Sequence, residues 1–504
     1  MLGAVGVVAL GLSASAAAGQ DGPVVKVESG ALQGTRAGAL EIFKGIPYAA
    51  APVGDHRWQP PAPVQPWPGT RAATEFGADC VHSRRDWEAD RKGAPMGEDC
   101  LFLNVWAPTK PIKGGAPVMF WIHGGSFTAG SGSQAIYNGA SLAARGAVVV
   151  TINYRLGRFG FFAHPALTTE AHGGPTGNWG MMDILAALKW VKRNAAAFGG
   201  NPDNITVFGE SAGGGAVNQL MVMPAARGLF ERAIAESGGG RDDGVPLADA
   251  EAKGKAFAAK NGVSGDDLAA LRAIPADKVR GNMTLFDTET ATYSGPMIDG
   301  QIITGRVDTA FLAGTQAKVP YLAGANSYEI GFAPEAMRKP FTMMLGASLG
   351  PAQAAVKTAY GSDDAYEHNL AGDAMFVEPS RFLASLNAAN GSWLYLFDYV
   401  PDAKRATEQG AAHGDEVPFV FGTLDAMGTP VSDADRATAK LMGDYWVAFA
   451  RNGNPGSGWP RFAKTAPDRL RFTARGAVAE SAASPALDAI AAFGDAKREK
   501  TLSK

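Results

Sequence analysis

Apolar and polar positions change period several times along this chain, and each change marks an element. From Gly22 to Ala49, GPVVKVESGALQGTRAGALEIFKGIPYA alternates apolar and polar residues between glycine turns, which predicts short antiparallel strands. The proline-rich APVGDHRWQPPAPVQPWPG that follows is expected to run extended over the surface. Three strand-like runs come next: LFLNVWA, PVMFWIHGG and AVVVTINYRL. The last two are almost continuously apolar, as strands covered on both faces should be. GNWGMMDILAALKWVKRNAAAFGG then takes up helical spacing, with no internal proline and a glycine stop. ITVFG returns to strand, and a helical pattern begins directly after Ser211. VPYLAGAN (Val319–Asn326) and SWLYLFDYV (Ser392–Val400) supply two later strands.

Strands and helices alternating in this way predict an α/β fold, a mainly parallel central sheet with helices on both faces. The stretches 246–291 and 331–390 turn helical and are expected to be insertions. Residues 19–504 therefore read as one domain, although 504 residues is long for one on a length prior. A net charge of −3 gives no reason to expect nucleic acid or an anionic membrane as a partner. Residues 1–18, within the apolar run MLGAVGVVALGLSASAAAGQ, read as a secretory signal ending in the A-x-A of Ala16-Ala17-Ala18, although no Lys or Arg precedes the run. A secreted or periplasmic protein with no membrane span after signal removal is the expectation. The two cysteines, Cys80 and Cys100, then favour a disulfide.

ITVFGESAGGG places strand, Gly-x-Ser-x-Gly and helix in the order of a nucleophile elbow. Glycines at 209 and 213 would clear the crossing backbone and leave the Ser211 hydroxyl standing above the sheet edge. Glu210 is expected to lie below the site, because successive side chains at such a turn point apart. A serine hydroxyl needs a His to take its proton, and the His needs a carboxylate to orient it. His413, in a glycine-containing loop after a late strand, is the favoured base, and His368 in DDAYEHNL is expected to be solvated. For the carboxylate, Glu329 follows a buried strand, while Asp299 in GPMIDG competes from a turn that would cap its own backbone. Backbone N–H groups for an oxyanion would come from Ala212 and from the loop His123–Phe127.

Taken together, FKGIPYAAAPVGDHRW, EDCLFLNVW, WIHGGSF, NYRLGRFGFF, the elbow segment, ANSYEIGF and HGDEVPFVFG resemble the type-B carboxylesterases, the cholinesterase-like branch of the α/β-hydrolases. The resemblance covers nearly all of residues 19–504. It implies a serine esterase with Ser211 as nucleophile, His413 as base and Glu329 as acid, which decides against Asp299. It also implies an oxyanion hole of Gly125, Ser126 and Ala212, a Cys80–Cys100 disulfide whose loop overhangs the entrance, and no metal or organic cofactor. The same apparatus could act on amides or carbamates, and binding modules of this branch lack the serine that stands here at Ser211.

Departures from the family bear on the substrate, expected to be a small ester. The disulfide loop VHSRRDWEADRKGAPMGED carries Arg84, Arg85, Arg91 and Lys92 beside a displaced Trp87, which makes choline esters poor candidates. Its interleaved acids predict a solvated surface loop. Arg241, in GRDDGVP, could face an acyl group bearing a carboxylate, or pair with Asp242 or Asp243. Phe127, Phe159, Phe161, Phe162 and Phe419 are candidates for an apolar gorge, some of them as core.

Overall fold

Eleven strands form the central sheet of the computed structural model, which describes residues 22–502 apart from 242, 285 and 286. They are β1 (Thr35–Ala37), β2 (Leu40–Pro47), β3 (Phe102–Pro108), β4 (Ala116–Ile122), β5 (Val148–Ile152) and β6 (Gly200–Glu210). The rest are β7 (Arg232–Glu236), β8 (Tyr321–Asn326), β9 (Ser392–Phe397), β10 (Asp468–Thr473) and β11 (Gly476–Ser481). Across the sheet they run β11-β10-β9-β8-β7-β6-β4-β5-β3-β2-β1. From β5 through β4 to β10 every pairing is parallel. Antiparallel strands close both edges. The expected α/β architecture with a large, mostly parallel sheet is therefore present.

The longer helices are α1 (Trp179–Asn194), α2 (Ala212–Val222), α3 (Leu247–Lys260), α4 (Glu335–Ser348), α5 (Glu378–Asn387), α6 (Asp433–Asn452) and α7 (Pro485–Leu502). Alternation within β4 shows how they cover the sheet. Val118, Phe120 and Ile122 join one core with Trp179, Ile184 and Leu188 of α1 and Val217 and Leu220 of α2. Met119 and Trp121, one residue out of phase, join a second core with Trp446 and Phe449 of α6. Because both faces are buried, β4 had to read as one apolar run. Each fully buried Phe or Ile of this set contributes ~1.5–3 kcal/mol relative to exposure.

Both insertions are helical, the first carrying α3 and the second α4 and α5. Five elements escaped the sequence reading. β7 is five residues long with charged ends, Arg232 and Glu236, and β10 and β11 form an edge hairpin with half-exposed positions. α6 is long but strongly amphipathic, with acids in its first turn, and α7 is rich in alanine and charge. No helix among the described residues is long and apolar enough to cross a membrane. The expected signal, residues 1–18, lies outside the described residues.

Candidate active site

Ser211 sits between β6 and α2 with φ 57° and ψ −124°, a conformation that costs a residue with a side chain ~1–3 kcal/mol. Two backbone bonds hold it there: the Ser211 N–H donates to Glu236 O (2.9 Å), and the Gly215 N–H to Ser211 O (2.8 Å). A Cβ at Gly209 would lie 2.6 Å from Ile122 O and 2.7 Å from Gly213 O, and one at Gly213 would press into Ile122 O. The glycines therefore let β6, α2 and the end of β4 cross at backbone contact. Ser211 remains partly exposed at that crossing.

The end of β4 brings a second loop to the serine. A Cβ on Gly124 would lie 3.0 Å from Ser211 Cβ and 2.7 Å from Glu210 Oε2. Gly125 (φ 102°), Ser126 (φ 55°) and Phe127 (φ 58°) then turn through the left-handed region in succession. The N–H groups of Gly125, Ser126 and Ala212 have no acceptor among the described residues. Tyr154 Oη donates to His123 O (2.8 Å) and the Gly157 N–H to Phe127 O (2.7 Å), so the loop is held from behind.

His413 lies in the loop after β9, and its Nδ1 is 2.6 Å from Glu329 Oε2. Glu329 follows β8 and is buried. Its Oε1 accepts from Ser237 Oγ (2.6 Å) and from the Asn326 N–H (2.7 Å). With Nδ1–H facing a carboxylate, Nε2 is the nitrogen left to act as a base. Phe376 stacks on the imidazole at 4.7 Å between centroids, and Phe332 leans on it at 5.4 Å. Asp299 is elsewhere, accepting the N–H groups of Ile302 and Ile303 in its own turn. His368, expected in solvent, is half-buried and stacks on Tyr328 at 4.3 Å.

Glu210 differs from expectation more sharply. Its Oε1 lies 3.2 Å from His413 Nε2, beside the base itself. Under it lie two further buried acids, Glu236 and Glu416, with exposures of 0%. Burial pushes all three carboxyls up, and each sits in the field of another acid. Donors are scarce: Trp446 Nε1 donates to Glu236 Oε1 (2.8 Å) and Asn326 Nδ2 to Glu416 Oε2 (2.5 Å). The other oxygens, Glu236 Oε2 and Glu416 Oε1, have no hydrogen-bond partner among the described residues. Burial works to lower the His413 pKa, but Glu210 and Glu329 outweigh it and raise it, favouring imidazolium. Ser237, Asn326, Phe376, Glu236 and Glu416 were not read from the sequence. Ser237 and Asn326, at the ends of parallel strands, were the findable ones.

The sequence profile of the carboxylesterase family matches residues 21–348 and 352–489. Fumonisin B1 esterase of Sphingopyxis macrogoltabida is 38% identical over 470 residues, which span 86% of this chain and 84% of that protein. The para-nitrobenzyl esterase of Bacillus subtilis (strain 168) is 35% identical over 87% of this chain and 92% of its own. Among solved structures, a PNB esterase superposes with a TM-score of 0.80 at 31% identity, covering 95% of this chain and 99% of that one. The chain belongs to the carboxylesterase family.

Several residues expected to meet this esterase's substrate are placed otherwise. Arg241 pairs neither with Asp243 nor with an open pocket. Its Nη2 binds Glu378 (2.7 Å), its Nη1 binds Asp495 of α7 (2.9 Å), and it lies over the Phe382 ring. Asp243 binds Arg306 and Lys497 instead, and Asp242 lies outside the described residues. Phe419 is fully buried in the second core, packed on Phe397 and Tyr399. Phe159, Phe161 and Phe162 are core as well. Phe127 is half-buried against Phe161, next to the loop glycines.

Cys80 and Cys100 are joined, and the loop between them is solvated only in part, with Asp86, Asp90 and Lys92 exposed. Asp79 beside it, and within it His82, Glu88 and Arg91, are buried and paired among themselves, which leaves Trp87 half exposed on the outside. Among the described residues no cluster of His, Cys, Asp and Glu could hold a metal ion.

Proposed function

We propose that this esterase cleaves carboxylic esters through an acyl-enzyme on Ser211, His413 and Glu329. The observation that carries the reading is the buried Glu329–His413 pair, delivered after β8 and β9 to the same end of the parallel sheet as the Ser211 elbow after β6. His413 Nε2 takes the Ser211 proton as Oγ attacks the ester carbonyl. The N–H groups of Gly125, Ser126 and Ala212 stabilise the oxyanion, each contributing a factor of about a hundred to a thousand if comparable donors elsewhere are a guide. Collapse expels the alcohol, which leaves with the proton from Nε2. Water, activated by the same nitrogen, then releases the acid and regenerates the serine.

Ser211→Ala should lower kcat on 4-nitrophenyl butyrate by ~10⁶-fold, the scale found when a serine nucleophile is removed elsewhere. A variant retaining activity within about a hundredfold of the parent would overturn the mechanism. The apolar run at Met1–Gln20 and the Cys80–Cys100 bridge support a secreted or periplasmic location for the reaction.

A further inference from the structure

Two arginines beside the loop of Gly125 and Ser126 have no ion pair among the described residues, in a corner where the acids are taken. Asp79 binds Arg84 (2.8 Å) and Arg91 (3.0 Å), and Glu88 binds His82 (2.8 Å). Glu98 holds Arg57, Glu289 holds Arg158 (2.6 Å), and Asp183 holds Arg155 (2.8 Å). The Arg85 side chain has one hydrogen bond among the described residues, Nη2 to Thr128 Oγ1 at 3.5 Å, at the limit of such a bond. Its Nε is buried without an acceptor. Glu88 contributes some field there, but burial still pulls the Arg85 guanidinium below its ordinary range. Arg280 has no side-chain hydrogen bond or ion pair among the described residues, and its Nε is likewise buried and bare.

Arg280 lines a narrow, partly open cleft of about 10 Å³ with His82, Ser83, Thr128, Phe159 and Met283. Arg85 touches the lining of that cleft through Thr128. That residue ties the cleft to the reaction centre, since both its N–H (2.9 Å) and its Oγ1 (3.3 Å) bond to Gly125 O. The cleft and the N–H groups of Gly125 and Ser126 thus share one turn. Both arginines are half-buried, not enclosed.

We propose that this cleft is an anion subsite and that the natural substrates are esters carrying a free carboxylate. This rests on the ester-hydrolase reading above. A half-buried guanidinium with unmet donors is poorly solvated, and a carboxylate restores both its charge balance and its planar hydrogen bonds. Arg241, with its two carboxylates in place, has no such need.

The test compares kcat/KM within two matched pairs. 4-Nitrophenyl hemisuccinate against 4-nitrophenyl butyrate places the carboxylate on the acyl side. 3-Carboxyphenyl acetate against 3-carbamoylphenyl acetate places it on the alcohol side. In at least one pair the anionic ester should win, and that preference should fall about tenfold or more in Arg85→Gln and in Arg280→Gln, as the loss of a charge-assisted hydrogen bond requires. Arg475→Gln, at the β10–β11 turn, carries the same change in net charge and should leave the preference intact. Added NaCl should erode the preference of the unaltered enzyme, which tests the subsite without any substitution. A preference absent from both pairs, or one unmoved by either substitution, overturns the subsite. Loss of hydrolysis of all four esters cannot be confused with that result, since it would sink the ester-hydrolase reading itself.

Discussion

Glu329 and Glu236 are buried glutamates on neighbouring parallel strands or their ends, yet their surroundings could hardly differ more. Three donors converge on Glu329: His413 Nδ1, Ser237 Oγ and the Asn326 N–H. That environment suits a carboxylate, which only accepts. Glu236 receives one donor, Trp446 Nε1, and its second oxygen has none. Burial, reinforced by Glu210, pushes its pKa up to about 8 despite that bond. Depth in the fold is the same for both. The number of donors separates an acid that can orient a base from one that keeps its proton.

The sharpest way to break this comparison is Glu329→Gln. An amide keeps the shape but can present an N–H to Nδ1, so kcat on 4-nitrophenyl butyrate should drop by ~10⁴-fold, as an equivalent change does in a serine protease. A drop below about tenfold would mean that Glu329 does not orient His413. Glu210→Gln probes the acid that touches Nε2. Removing a negative neighbour destabilises the imidazolium and lowers the His413 pKa. The acid limb of the kcat/KM profile should therefore move to lower pH by on the order of one unit. A limb that stays in place would show that Glu210 holds its proton throughout.

Glu236→Gln should do least. Below the ordinary carboxyl range both folded and unfolded chains hold the proton, and the substitution should shift Tm by no more than about 2 °C. As pH rises toward 8 the unfolded chain ionises while the folded one cannot, so the parent loses stability that the glutamine variant retains. The Tm difference, followed from pH 5 to pH 8, should grow in favour of Glu236→Gln. A constant difference would mean that Glu236 is ionised in the fold.

Elements whose chemistry is local were legible in the sequence. The β4 and β5 runs, the α1 helix and the Gly209–Gly213 turn each announce themselves within a dozen residues, because burial on both faces or close backbone crossing leaves a mark at that scale. Partnerships across long separations were not. Arg241 meets Glu378 and Asp495, 137 and 254 residues away, while its sequence neighbours Asp242 and Asp243 were the natural guess. The acids under His413 come from three separate elements, and only the fold collects them. The disulfide loop misled for a related reason. Interleaved charges look the same whether they face water or one another, and here Asp79, Glu88, His82 and Arg91 face one another.

Asp495 of α7 has a further consequence, for the order of events at the ribosome. α7 supplies one of the two carboxylates on Arg241, and its Leu487 packs in a small cluster with Val377 and Phe376, the ring stacked on His413. It is made later than everything it braces. At ~5–20 residues per second the interval between His413 and Leu487 is on the order of ten seconds. Through that interval the nascent chain has its serine turn and strands β1–β9 but lacks the clasp on one wall of the site. Until α7 is made, that wall lacks Leu487 beside Phe376 and the second carboxylate on Arg241.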